Sequence, residues 1–211
     1  MIPVVTPEEM GAIDRAAPEP TEVLIGRAAA AVARQAVDLL GGTYGRRVVV
    51  LAGQGNNGND GRVAGELLER RGVRVLVQAA DDPSPLPSCD LVLDAAFGTG
   101  FRGEWSAPEV PGGVPVLAVD IPSAVDGLTG RVAAESRALR AVRTVTFAAL
   151  KPGLLFANGA ALSGAVHLAD IGLDVSGART HLVTDGDVAE WVPTRPVATH
   201  KWRSAVWVVA G

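Results

Sequence analysis

Two stretches near the amino terminus place apolar residues at helical spacing. Thr6 with Glu9 three positions later has the capping-box pattern, and Met10, Ile13 and Ala17 then share one face. Thr21 opens a longer stretch through Leu24, Ile25, Ala28, Val32, Ala36 and Leu39, which stops at Gly41-Gly42. No strand is expected ahead of these two helices. From Arg46 the pattern changes: residues 46–52 form a β-branched apolar run without alternation, as in a strand buried on both faces. Similar runs recur at 73–79, 91–97, 114–121, 142–148 and 165–171, and a helical segment over 60–71 separates the first two.

Continuous apolar strands alternating with helices predict an α/β fold with a mostly parallel sheet covered on both faces. The expected architecture is a Rossmann-like three-layer α/β/α sandwich with two N-terminal helices. Residues 80–90 and 107–114 are broken by Pro, Ser and Gly and read as loops. A seventh strand is expected at 181–184, followed by a short helix ending near Pro193.

The 211 residues suit one ordinary domain, and their net charge of −4, with no run of Lys and Arg, offers no footprint for a phosphate backbone. Nucleic acid is therefore not an expected partner. Cys89 stands alone, and His167, His181 and His200 lack metal-ligand spacing, so neither a disulfide framework nor a zinc site is expected. The first residues carry no basic and apolar leader pattern, and no apolar run reaches membrane-spanning length. These features lead to the expectation of a cytoplasmic protein without membrane contact.

In a doubly wound sheet, ligands bind beyond the carboxyl ends of the strands. The first strand ends in Gly53-Gln54-Gly55-Asn56-Asn57-Gly58-Asn59-Asp60-Gly61, whose first six residues fit the dinucleotide fingerprint G-x-G-x-x-G. A nicotinamide-dependent oxidoreductase is therefore one reading, with Asp81 or Asp82 near the place of a ribose ligand. Against a diphosphate there stands Asp60, read as a carboxylate in the first helical turn, where it would repel phosphate; a tight turn with Asp60 capping its own helix is the structural alternative. The third run delivers Asp94 after Leu91-Val92-Leu93, ahead of the glycine-rich segment 98–104, and the fourth delivers Asp120 near its end, with Ser123 following on a proline turn. Asp94 could equally be a structural carboxylate bonded to loop amides. If these strands are neighbours, Asp60, Asp94, Asp120, Ser123 and the asparagines share one crevice, and so many acids there need a cation or shifted pKa values. Potassium suits the mixture of neutral oxygens and one carboxylate offered by Asn57, Asp94 and Ser123. Lys151 follows the fifth run; it is either a solvated lysine or part of the same edge.

Five segments of the chain resemble the YjeF N-terminal domain family. They are Met10-Gly11-Ala12-Ile13-Asp14, Gly55 to Gly61, Asp94-Ala95-Ala96-Phe97-Gly98-Thr99-Gly100, Asp120-Ile121-Pro122-Ser123 and Leu150-Lys151-Pro152-Gly153-Leu154. The resemblance covers residues 1–192 and implies an NAD(P)H-hydrate epimerase, an isomerase that repairs hydrated NADH and NADPH. By that resemblance Asn56, Asn57, Gly58, Asn59, Asp60, Gly98, Thr99, Gly100, Phe101, Arg102, Gly103, Glu104 and Asp120 would contact the hydrated dinucleotide. Asn57, Asp94 and Ser123 would bind one potassium ion per subunit. Asp120 is the candidate for proton transfer, with Asp60 as helper, because a cation-bound Asp94 is a poor base. A non-catalytic binding module of the same family is the alternative reading. Two positions depart from the family pattern: Asn59 and Ala124 stand where glycine is usual. Residues 199–211 resemble the first strand of a kinase-like dehydratase domain, joined through a linker at 193–198, so the chain is expected to be part of a bifunctional enzyme. The expected partners are the substrate and a dehydratase domain, fused or separate; a homodimer is left open.

Overall fold

The computed structural model describes residues 1–192. The linker expected at 193–198 and the further domain expected at 199–211 lie outside the described residues. A strand does precede the first helix: β1 (Ile2–Val4) leads into α1 (Pro7–Ala16) and α2 (Thr21–Leu40). Its partner is β8 (Thr180–Leu182), antiparallel and nearly the whole described chain away, so no local pattern announces the pair. The seventh strand thus exists but stands apart from the main sheet.

Between these ends each predicted run forms a strand, but helices fall only after the first and the fifth, and irregular chain makes the other connections. β2 (Arg47–Ala52), α3 (Asn56–Glu69), β3 (Arg74–Ala79), β4 (Leu91–Ala95), β5 (Val116–Val119) and β6 (Arg143–Phe147) follow in turn. Two short helices, α4 (Pro152–Leu155) and α5 (Ala157–Leu162), precede β7 (Ala165–Ala169), and α6 (Asp185–Trp191) follows β8. The six strands of the main sheet are all parallel in the order β3-β2-β4-β5-β6-β7. From β2 the chain winds outward to β3 and then returns to the other side of β2, so the winding reverses between β2 and β4. That switch point is where a doubly wound sheet opens a crevice.

One face of the sheet is covered by α2 and α3. Ala28, Ala29, Val32, Ala33 and Ala36 of α2 are buried with Val48, Val50, Leu93 and Leu117 of the strands, and such small residues let the helices approach closely. α3 lies nearer still, because a Cβ on Gly61 would stand 2.4 Å from the Cβ of Ala95. The opposite face buries Val49, Leu51, Val92 and Ala118 under Leu86, Ala107 and Leu139, which irregular chain brings there. At about 1.5–3 kcal/mol for each buried branched side chain, these two clusters hold the sheet in register. β3 differs from the expectation of burial on both faces. It is an edge strand with Leu76 and Val77 exposed, since periodicity does not tell an edge from a centre.

Candidate active site

The carboxyl ends of the strands and residues of α1, α2 and α3 line a cavity of about 890 Å³. Its floor over β2 is glycine by necessity. A Cβ on Gly58 would stand 2.0 Å from the Gly53 carbonyl oxygen, so only glycine lets the start of α3 sit on the end of β2. That helix begins at Asn56, four residues ahead of the expected start. Glycine and asparagine read locally as a turn, but tertiary packing overrides their weak propensity. The consequence corrects the position of Asp60. It lies in the second turn of α3, buried, and neither caps the helix nor stands at its positive end.

Asp120 follows β5 in the left-handed conformation, with φ 68°, which turns its carboxylate toward the cavity mouth of the neighbouring strands. Lys151 Nζ donates to it at 2.7 Å, the Thr146 hydroxyl at 3.3 Å and the Thr99 amide at 3.2 Å. Lys151 is only 1% exposed, and its remaining protons go to Thr146 Oγ1 and the Phe147 carbonyl, at 2.9 and 3.0 Å. It is a fully satisfied buried ammonium, not a solvated lysine. Burial pushes the Asp120 carboxyl up, but the Lys151 ammonium and the hydrogen bonds from Lys151, Thr99 and Thr146 together hold it below the ordinary range. Asp60 has no such support: burial first, then the charges of Asp120 and Asp14, push it up to about 8. Two carboxyl groups of one cavity are therefore pushed in opposite directions.

Asp14, on α1, also lines the cavity, and burial raises its pKa against the pull of Lys151. Asp14 and Thr146 have no site role in the sequence reading. The signals were present: Asp14 follows the buried Met10 by four residues on one helix face, and Thr146 is a buried hydroxyl within an apolar strand. The histidines stay away from the cavity among the described residues.

Asp94 and Ser123 are fully buried and bonded to each other: the Ser123 hydroxyl and amide donate to the two carboxylate oxygens at 2.6 and 2.9 Å. Burial raises the Asp94 pKa, and the bonds from Ser123 and the Ala96 amide oppose that. Ser123 Oγ also accepts from the Phe97 amide at 2.9 Å, so the pair anchors the start of the segment 98–104. Asn57 is the unsatisfied group here. Both polar atoms of its buried side-chain amide lack a hydrogen-bond partner, which costs about 1–3 kcal/mol for each group left so. Asn57 and Asp120 both lie against the bare α-carbon of Gly98, where a Cβ would meet them at 3.4 and 3.2 Å. The chemistry of these groups, an orphaned amide oxygen with a buried carboxylate and a hydroxyl one turn of chain away at Phe97 and Gly98, is of the kind that suits a hard monovalent cation.

The structure brings Asn56, Asn57, Asp60, Gly98, Thr99, Gly100, Phe101 and Asp120 to the cavity wall. Gly58 lies beneath it against Gly53, and Asn59 turns its amide oxygen to Arg62. Arg102, Gly103 and Glu104 are exposed beyond the wall, with Arg102 reaching toward Asp126 at 4.0 Å.

Residues 21–88 and 78–153 match the family model described as YjeF-related protein N-terminus. The chain is 35% identical over 217 residues to the NAD(P)H-hydrate epimerase of Leuconostoc mesenteroides, covering 82% of this chain and 92% of that protein. It is 31% identical over 206 residues to the bifunctional NAD(P)H-hydrate repair enzyme Nnr of Escherichia coli, covering 79% of this chain and 39% of that protein. The crystal structure of yeast ynu0 shares the fold with a TM-score of 0.54 at 21% identity, over 78% of this chain and 86% of that one.

Proposed function

The chain belongs to the YjeF-related N-terminal family, and on that premise we propose that it is an NAD(P)H-hydrate epimerase, an isomerase interconverting the R and S forms of hydrated NADH and NADPH. The observation that carries this reading is the meeting, in one cavity at the switch point of the sheet, of two carboxyl groups in opposite surroundings: Asp60, buried without a cationic partner among the described residues, and Asp120, held by Lys151, Thr146 and Thr99. Environments that push two carboxyl groups apart assign an acid and a base.

The reacting carbon bears a hydroxyl and is bonded to the ring nitrogen. Asp60 gives its proton to the hydroxyl, which leaves as water while the nitrogen lone pair supplies the electrons. Water then adds to the opposite face of the planar carbon and Asp120 takes its proton. No electron is gained or lost over the cycle, and the proton balance closes through solvent. Lys151 keeps Asp120 ionised and aimed. Asn57, Asp94 and Ser123 would hold a potassium ion, whose charge would offset the buried Asp94 carboxylate and steady the segment 98–104. The bifunctional relatives support a dehydratase domain, fused or separate, as partner. Among the described residues no helix is long and apolar enough to cross a membrane.

The test is direct. The purified chain is added to hydrated NADH enriched in one epimer, and the ratio is followed by chromatography. Faster approach to the equilibrium ratio supports the reading; an unchanged rate at high enzyme concentration rejects it.

A further inference from the structure

We infer that the end of the cavity over β3 is a separate subsite for the distal ribose, in which Arg62 receives a 2′-phosphate; this rests on the epimerase reading. The order of the strands supplies a ruler. Asp120 stands over β5, while Ala80 and Asp81 stand over β3, three strand spacings away, or about 14 Å. A mononucleotide with its ring at Asp120 does not reach that end. An extended dinucleotide does.

Arg62 stands beside this end, bonded over β2, the neighbour of β3. It lies two residues after Asp60 on α3, so the two side chains leave the helix about 200° apart. Asp60 points to the acidic end, where it feels Asp120 and Asp14. Arg62 lies on the other flank, where its guanidinium donates to the Gly53 carbonyl at 2.8 Å and to the Asn59 amide oxygen at 3.5 Å. Both acceptors are neutral, and a guanidinium has five N–H donors. Among the described residues the cavity wall has one other cation, Lys151, and that is committed to Asp120. Arg62 is therefore the charge with donors to spare in an otherwise acidic cavity.

The wall nearby is fixed. Trp105 donates from its indole to the Ala80 carbonyl at 2.8 Å and packs edge-on against Phe97, with ring centroids 5.4 Å apart. Asp81, exposed beside it on the cavity wall, offers a carboxylate to ribose hydroxyls. Hydrated NADH and hydrated NADPH differ only by the phosphate on this ribose. The lobe offers an acceptor for the hydroxyl form and a fork of donors for the phosphorylated form, a division known from dinucleotide folds in general.

Calorimetric titration of the full chain with ADP-ribose and 2′-phospho-ADP-ribose tests this without turnover. Arg62→Gln is expected to weaken the phosphorylated probe roughly tenfold and ADP-ribose less than twofold, the scale of one charge-assisted hydrogen bond. Arg62→Lys restores most of the loss, and Asp81→Asn, which removes a like charge, tightens the phosphorylated probe a few fold. In turnover, Arg62→Gln raises KM for the NADPH hydrate about tenfold with kcat retained, several times more than it raises KM for the NADH hydrate. Equal weakening of both probes would place Arg62 on the shared diphosphate and overturn the subsite, as would no change, or no binding of either probe to the parent chain. A parent chain that binds the probes selectively but interconverts neither hydrate rejects the epimerase reading and leaves the subsite standing.

Discussion

At the scale of single residues, the site depends on neighbours that push like groups in opposite directions. Asp120 and Lys151 form a buried ion pair at 2.7 Å, with Lys151 1% exposed. Asp120→Asn keeps the shape but leaves the ammonium without its charge partner, so the variant is expected to lose about 3 kcal/mol of stability in urea unfolding. It also loses about a hundredfold or more in epimerisation rate, the scale of a lost acid–base group. A rate near that of the parent would move the base elsewhere. Asp60 gives the opposite dependence on pH. Its carboxyl is raised from 3.8 to about 8, so the folded state binds its proton across that interval and the unfolded state does not. The stabilising contribution is therefore complete below 3.8 and falls as pH rises toward 8. Asp60→Asn is expected to flatten that decline, which unfolding midpoints at pH 4.5, 6 and 7.5 would reveal. With Asp60 as the acid, kcat/KM of the parent also falls as pH passes about 8.

At the scale of elements, what matters is how each strand hands the chain to the next turn. The turn after β5 holds two residues in the left-handed region, Asp120 at φ 68° and Ala124 at φ 70°. Aspartate tolerates this conformation, but alanine carries a Cβ penalty of about 1–2 kcal/mol, a physical reason for the glycine expected at position 124 from the resemblance. Ala124→Gly is expected to stabilise the chain by about 1 kcal/mol net, raising the thermal midpoint by about 2–4 °C with activity unchanged. A lower midpoint would mean that the buried methyl group packs better than the strain costs. Asn59 needs no comparable account, because it sits in ordinary helical conformation within α3. The capping box at the start of α1 was legible as spacing: Thr6 and Glu9 bond each other's backbone amides at 3.2 and 2.8 Å. The start of α3 was not, because a helix beginning Asn-Asn-Gly-Asn has no local signature and forms only where Gly53 and Ala95 receive its glycines.

At the scale of the whole molecule, Asn57, Asp94 and Ser123 arrive from three separate segments, so an ion held among them ties together elements distant in the chain. Potassium at ten to a hundred times its Kd is expected to raise unfolding free energy by about 1.4–2.7 kcal/mol over a bulky organic cation at equal ionic strength. Asp94→Asn abolishes the difference. A midpoint indifferent to the cation would leave Asp94 and Ser123 as anchors of the loop alone. The sequence by itself determined the parallel sheet, because unbroken β-branched runs can be stable only when both faces are covered. It also determined which residues lie at the strand ends, Asp94 and Asp120 among them, since a strand's length fixes where its polar residues emerge. Only the tertiary structure decided that β3 is an edge, that β1 finds β8, that Lys151 is buried against Asp120, and that Asp14 enters the cavity from α1. Each of these depends on contacts between residues far apart in the chain. A protonation state is of the same kind: Asp60 and Asp120 are the same residue type, and their pKa values part because burial acts on both while a lysine at the start of α4 and two further hydrogen bonds act on Asp120 alone.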